Sequence, residues 1–118
     1  MSEASSLPPQ LQEQLLRLQQ LQQTLQVVVS QRQQLELEHS EVNRALSELE
    51  KITDDSTIYK SVGSILIKSE RKKIIDELRE KRELTETRIK VLTRQQTRAE
   101  ARVKELQQTI QAKLKTSV

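Results

Sequence analysis

A single histidine, His39, a single tyrosine, Tyr59, the aspartate pair Asp54-Asp55 and one basic run, Arg71-Lys72-Lys73, are the residues of this 118-residue chain best equipped for chemistry. None is spaced to perform it. A general base needs partners converging in a pocket, whereas His39 falls on a helical heptad position and reads as a packed or register-setting residue. One histidine, no cysteine and acids scattered along helix faces supply no metal-ligand set. The lone glycine, Gly63, cannot build a phosphate cradle. Asp54-Asp55, between Thr53 and Ser56, reads as a solvated turn, and Tyr59 as packing within a sheet. These residue types argue against an enzyme and imply no catalytic residue, no cofactor and no metal.

The elements that carry these residues are legible from periodicity. The chain has no Phe or Trp, so the large rings that dominate most cores are missing and aliphatic residues must do the packing. High charge combined with helical periodicity points to coiled coil. In the first arm one heptad column holds Leu11, Leu18, Leu25, Arg32, His39 and Leu46. Its partner column holds Gln14, Leu21, Val28, Leu35, Val42 and Leu49. Nine of these twelve positions are apolar and neither Gly nor Pro interrupts them. The second arm repeats the pattern in Ile75, Arg82, Ile89, Gln96, Val103 and Ile110, with Leu78, Thr85, Leu92, Ala99 and Leu106 beside them. Leu84, Val91 and Leu114 fall off this seam and would widen its apolar stripe.

Between the arms, β-branched residues replace the heptads. Gly63-Ser64 fits a two-residue type II′ turn, with Gly63 at the position that needs positive φ. Val62 then faces Ile65 and Lys60 faces Ile67, placing Ile58, Val62, Ile65 and Ile67 on one face. A lone hairpin is marginal in water and leaves both outer edges unpaired. The insert therefore makes sense mainly where other chains complete the sheet.

One domain follows, with a flexible lead at 1–9, a helix at 10–52, the hairpin at 57–69 and a helix at 70–115. Ser69 reads as the N-cap of the second helix. The arms fold back as an antiparallel pair, bringing Leu46 and Leu49 near Ile75 and Leu78, and Leu11 near Ile110. Arg32 and His39 then approach Arg82, Thr85 and Gln96, where buried polar groups lower stability but fix register. The fold class is mainly α: a long antiparallel two-helix coiled coil with a single central β-hairpin that oligomerises.

Charge supports the pairing. Residues 1–49 carry three Arg against six Glu, and residues 71–118 carry fourteen Lys or Arg against seven Asp or Glu. The basic arm alternates in sign, which argues against nucleic acid. No apolar run spans a membrane. The absence of cysteine and of a secretory pattern at the start points to the cytoplasm.

Antiparallel folding also collects the chain ends. Leu7, Leu15 and Leu114 have few neighbours to cover them and lean toward exposure, and Val118 lies at the same end. Leu11 and Ile110 serve equally well as the last layer of the seam or as part of an adaptable apolar surface.

The segment Asp55-Ser56-Thr57-Ile58-Tyr59-Lys60-Ser61-Val62-Gly63-Ser64-Ile65-Leu66-Ile67-Lys68, set between two heptad arms, resembles the β-type subunit of prefoldin. A single hairpin matches β-type subunits, α-type subunits carrying two. The resemblance implies a cytosolic, ATP-independent chaperone of two α and four β subunits, whose hairpins assemble into a double β-barrel platform. The oligomerisation hairpin would comprise Ile58, Tyr59, Val62, Gly63, Ile65, Leu66 and Ile67. It further implies that unfolded client proteins are held at the coiled-coil tips and passed to a group II chaperonin. The region carried over is Leu7, Leu11, Leu15, Ile110, Leu114 and Val118. The alternative from another class is a structural coiled-coil tether whose hairpin is only a hinge.

Overall fold

The computed structural model describes residues 7–117, which form α1 (Pro9–Glu50), β1 (Ile58–Val62), β2 (Ile65–Ser69) and α2 (Arg71–Ser117). The fold is thus two long helices joined by a central antiparallel hairpin. The first helix opens on a proline pair because Pro8 is its cap: the Pro8 carbonyl accepts from the amides of Leu11 and Gln12 at 3.0 and 3.1 Å. Pro9 occupies the first helical position, where a missing N–H costs nothing.

Helix α1 stops at Glu50, two residues short of the sequence boundary at 52. Lys51 donates back to the Glu48 carbonyl and the chain enters a turn closed by Ser56 N–H on Thr53 O at 3.1 Å. The carbonyls that end a helix have no partner within it, and a residue distant in sequence supplies one here. Arg71 Nε donates to the Leu49 carbonyl at 2.8 Å, while its Nη1 reaches Asp54 Oδ1 at 3.0 Å. Arg71, read from sequence as part of a basic run, is therefore the clasp between the end of α1 and the turn that follows.

The hairpin register pairs Val62 with Ile65, Lys60 with Ile67, and Ile58 with Ser69. Gly63 has φ of +60°, and no non-glycine residue among those described has positive φ. Positive φ at the first turn residue alone is the signature of the type II′ turn. Ser69 is the last residue of β2 and does not cap α2. Glu70 takes that place, its carbonyl accepting from Ile74 N–H at 3.1 Å, because the strand ladder already claims Ser69.

All twenty-three heptad positions named above, polar ones included, are buried or half-buried. Leu84, Val91 and Leu114 are exposed and do not widen the core; Val27 and Leu37 are likewise exposed. The chain divides into two units, residues 33–90 and residues 1–32 with 91–118. In the first, Val42, Leu46 and Leu49 are buried with Thr85. In the second, Leu11, Val28 and Ile110 are buried.

Polar seam residues find partners in both units. Thr85 satisfies its hydroxyl locally on the Lys81 carbonyl at 2.7 Å, the back-bond that lets a threonine sit inside a helix. Arg32 Nε donates to Gln96 Oε1 at 2.6 Å, joining the two arms. His39 pairs with Glu86 rather than with Thr85, its Nε2 standing 3.0 Å from Glu86 Oε1. Among the described residues no helix is long and apolar enough to cross a membrane, and no group of three or more His, Cys, Asp or Glu could hold a metal ion.

Candidate functional site

Among the described residues, two surfaces collect apolar side chains that are left uncovered. The first is the hairpin. An antiparallel pleat sends alternate residues to opposite faces. Ile58, Val62, Ile65 and Ile67 share one face with Lys60, and Tyr59 and Leu66 share the other with Lys68. Tyr59, Val62, Ile65, Leu66 and Ile67 are all between 47 and 68% exposed, with Ile58 half-buried. The sheet has only two strands, in the order β1-β2. Its outer backbone edges therefore have no strand beside them.

The hairpin also touches the following helix. Lys60 Nζ, from β1, donates to Glu77 Oε2 on α2 at 2.9 Å. That hydrogen bond and the positive charges of Lys60 and Lys73 hold the Glu77 carboxyl below its ordinary range, against a smaller upward push from desolvation. A solvated pair of this kind contributes little to holding the hairpin.

The second surface lies at the chain ends. Leu11 is 1% exposed and Ile110 4%. Both therefore complete the seam and offer no free surface. Leu15 and Leu114 are exposed, and Leu7 is half-buried. Val118 lies outside the described residues. Leu16, which the heptad register passes over, is more open than either Leu15 or Leu114, at 56%. Its signal in the sequence was the doublet Leu15-Leu16, one leucine more than a seam requires.

His39, the candidate general base, is occupied on both ring nitrogens. Nε2 meets Glu86, and Nδ1 lies 3.3 Å from Asn43 Nδ2. The neutral Nε2–H tautomer satisfies both contacts, donating to the carboxylate and accepting from the amide. The hydrogen bond from His39 holds the Glu86 carboxyl below its ordinary value of 4.5, against some desolvation and with help from the charges of Arg82 and Lys90. A depressed folded value stabilises the fold above pH 4.5 and is lost as pH falls through the folded value. Glu86 is exposed, so the effect is small. Thermal melts of Glu86→Gln and wild type should therefore separate slightly above pH 4.5 and converge as the pH falls through the lowered folded value; a constant offset at all acid pH would contradict the coupling.

The arrangement has the parts of a binding and assembly module: an open-edged apolar hairpin and uncovered leucines near the chain ends. Comparison with known proteins agrees. Residues 12–117 match the family described as prefoldin subunit. The chain is 43% identical over 110 residues to prefoldin subunit beta of Pyrococcus furiosus, covering 93% of this chain and 94% of that one. It is 47% identical over 105 residues to prefoldin subunit beta of Archaeoglobus fulgidus, covering 89% and 90%. The crystal structure of the prefoldin beta subunit from Thermococcus strain KS-1 superposes with a TM-score of 0.82 at 42% identity, covering 91% of this chain and 94% of that one. With the single hairpin, the paired heptad arms and these matches in agreement, the chain belongs to the prefoldin family as a subunit of the β type.

Proposed function

We propose that this chaperone subunit works as an ATP-independent holdase: it joins a cytoplasmic hexamer of two α and four β subunits, captures unfolded polypeptides near its chain ends, and delivers them to a group II chaperonin. The observation that carries the reading is the hairpin, whose two faces hold exposed apolar residues and whose outer edges lack neighbouring strands. Closing several hairpins into a barrel pairs those edges and covers those side chains in one step. A tether using the hairpin as a hinge would have no need for apolar residues on both of its faces.

Capture follows from avidity. Each chain offers only a few exposed leucines, so one contact is weak. Several chains on one platform raise the effective concentration of the remaining contacts once the first has formed. No nucleotide is required, because holding an exposed apolar segment is downhill.

The test uses exposed positions, so that folding is not confounded. Leu15→Ser, Leu16→Ser and Leu114→Ser combined should leave helicity and assembly unchanged while suppression of aggregation of a denatured client, without ATP, falls several-fold. Undiminished suppression by the assembled triple variant would overturn the assignment of these leucines.

A further inference from the structure

The unit formed by residues 1–32 and 91–118 contains an open groove of about 660 Å³ along the seam, apart from the exposed leucines. Leu21 and Leu106 supply its apolar lining, Arg17 and Arg102 its guanidinium groups, and Glu105 its one carboxylate. Gln14 occupies a seam position at the same groove, and its Oε1 is buried without a hydrogen-bond partner. A buried carbonyl oxygen left in that state is unfavourable, and only a donor relieves it.

Charge complements that observation. Residues 1–32 and 91–118 together hold eight Lys or Arg against four Asp or Glu, whereas residues 33–90 hold twelve against thirteen. Arg17 and Arg102 take no part in the ion pairs of the described residues. Two guanidinium groups against one carboxylate leave the groove positive. Fourteen of the sixteen glutamines also lie in this portion of the sequence. Their neutral amides both donate and accept, which suits a polypeptide main chain.

We propose that the groove binds an extended client segment in which an apolar side chain lies next to a carboxylate. The apolar side chain rests on Leu21 and Leu106, and the carboxylate meets Arg17 and Arg102. This rests on the client-capture reading and adds the chemistry of what is captured. A nucleic acid fits less well. The lining contains no aromatic ring on which a base would stack.

Fluorescence anisotropy with the full-length protein tests the proposal. The probes are a labelled unstructured peptide of repeating Leu-Asp-Gly and its counterpart with Lys for Asp. The acidic peptide should bind about tenfold more tightly, the scale of two partly sheltered charge contacts. Arg17→Gln with Arg102→Gln should abolish that preference. Arg94→Gln with Arg98→Gln, which removes the same charge outside the groove lining, should preserve it.

Equal affinity for the two peptides, or a preference that survives the Arg17/Arg102 change, overturns the proposal. Displacement of the acidic peptide by a single-stranded oligonucleotide at equal concentration overturns it too, in favour of nucleic acid. If the wild-type protein suppresses aggregation while showing no acidic preference, the groove assignment alone fails. If it suppresses no aggregation, the client-capture reading beneath it fails as well.

Discussion

The double variant Val62→Asp/Ile67→Asp should lose assembly altogether while keeping its helices. Val62 and Ile67 lie on one hairpin face together with Ile58 and Ile65, and both are exposed in the single chain. Covering such side chains with neighbouring copies contributes about 1.5–3 kcal/mol for each one fully buried. Aspartates reverse the sign of that contribution, because an ionised carboxylate taken from water without a partner costs several kcal/mol. The penalty recurs in every copy around a closed barrel. Native mass spectrometry after co-expression with a two-hairpin α-type subunit should show a monomer in place of the hexamer. Circular dichroism should show unchanged helix content, since neither residue touches the heptad seam. A hexamer that persists with both aspartates would remove the hairpin from the assembly interface and favour the tether.

Leu46→Ala should have a large effect on stability for a single substitution away from the hairpin. Leu46 is buried between Val42 and Leu49 on the seam, and truncating a buried leucine costs about 2–4 kcal/mol in lost transfer energy and cavity. This chain has no Phe or Trp to absorb the loss. On the scale of a small domain the melting temperature should fall by roughly 10–20 °C. Leu37→Ala is the control: the residue is exposed, and its removal should change stability by no more than about 0.5 kcal/mol. Both melts need equal protein concentration, because association adds to apparent stability. Equal melting of the two variants would contradict the placement of the seam.

The pairing of the arms is held by contacts of unequal kinds. Glu38–Lys81 at 3.1 Å joins a half-buried glutamate to an exposed lysine, and solvated pairs of this type contribute little. Arg32 to Gln96 at 2.6 Å and Arg71 to the Leu49 carbonyl at 2.8 Å are part-buried and join residues far apart in sequence. They set the register of the arms, a task that aliphatic seams perform poorly because one leucine layer packs much like the next.

Local chemistry was readable along the chain. A column of leucines every seven residues must face a partner, so both helices and the inward side of each were evident from spacing. Gly63-Ser64 between two β-branched runs specified the turn type and, with it, every pairing from Ile58 to Ser69, because a two-residue loop leaves one register. The same reading took Leu84 and Val91 for extra core, since periodicity identifies apolar residues but not whether anything covers them. It passed over Leu16 for the converse reason: that residue lies off the seam, and only the surface around it shows it to be open.

What the sequence alone determined, then, is the two heptad arms and the hairpin with its register. Each follows from interactions between residues close together in the chain, where backbone geometry dictates spacing. Tertiary structure decided the rest. It sealed Leu11 and Ile110 into the seam, gave His39 to Glu86, turned Arg71 into the clasp on Leu49, left Gln14 Oε1 without a donor, and passed the cap of α2 from Ser69 to Glu70. Most of these depend on which residue of one arm stands opposite which residue of the other. That lateral choice is made by packing and hydrogen bonding across dozens of intervening residues, and a heptad pattern read along one strand of sequence does not contain it.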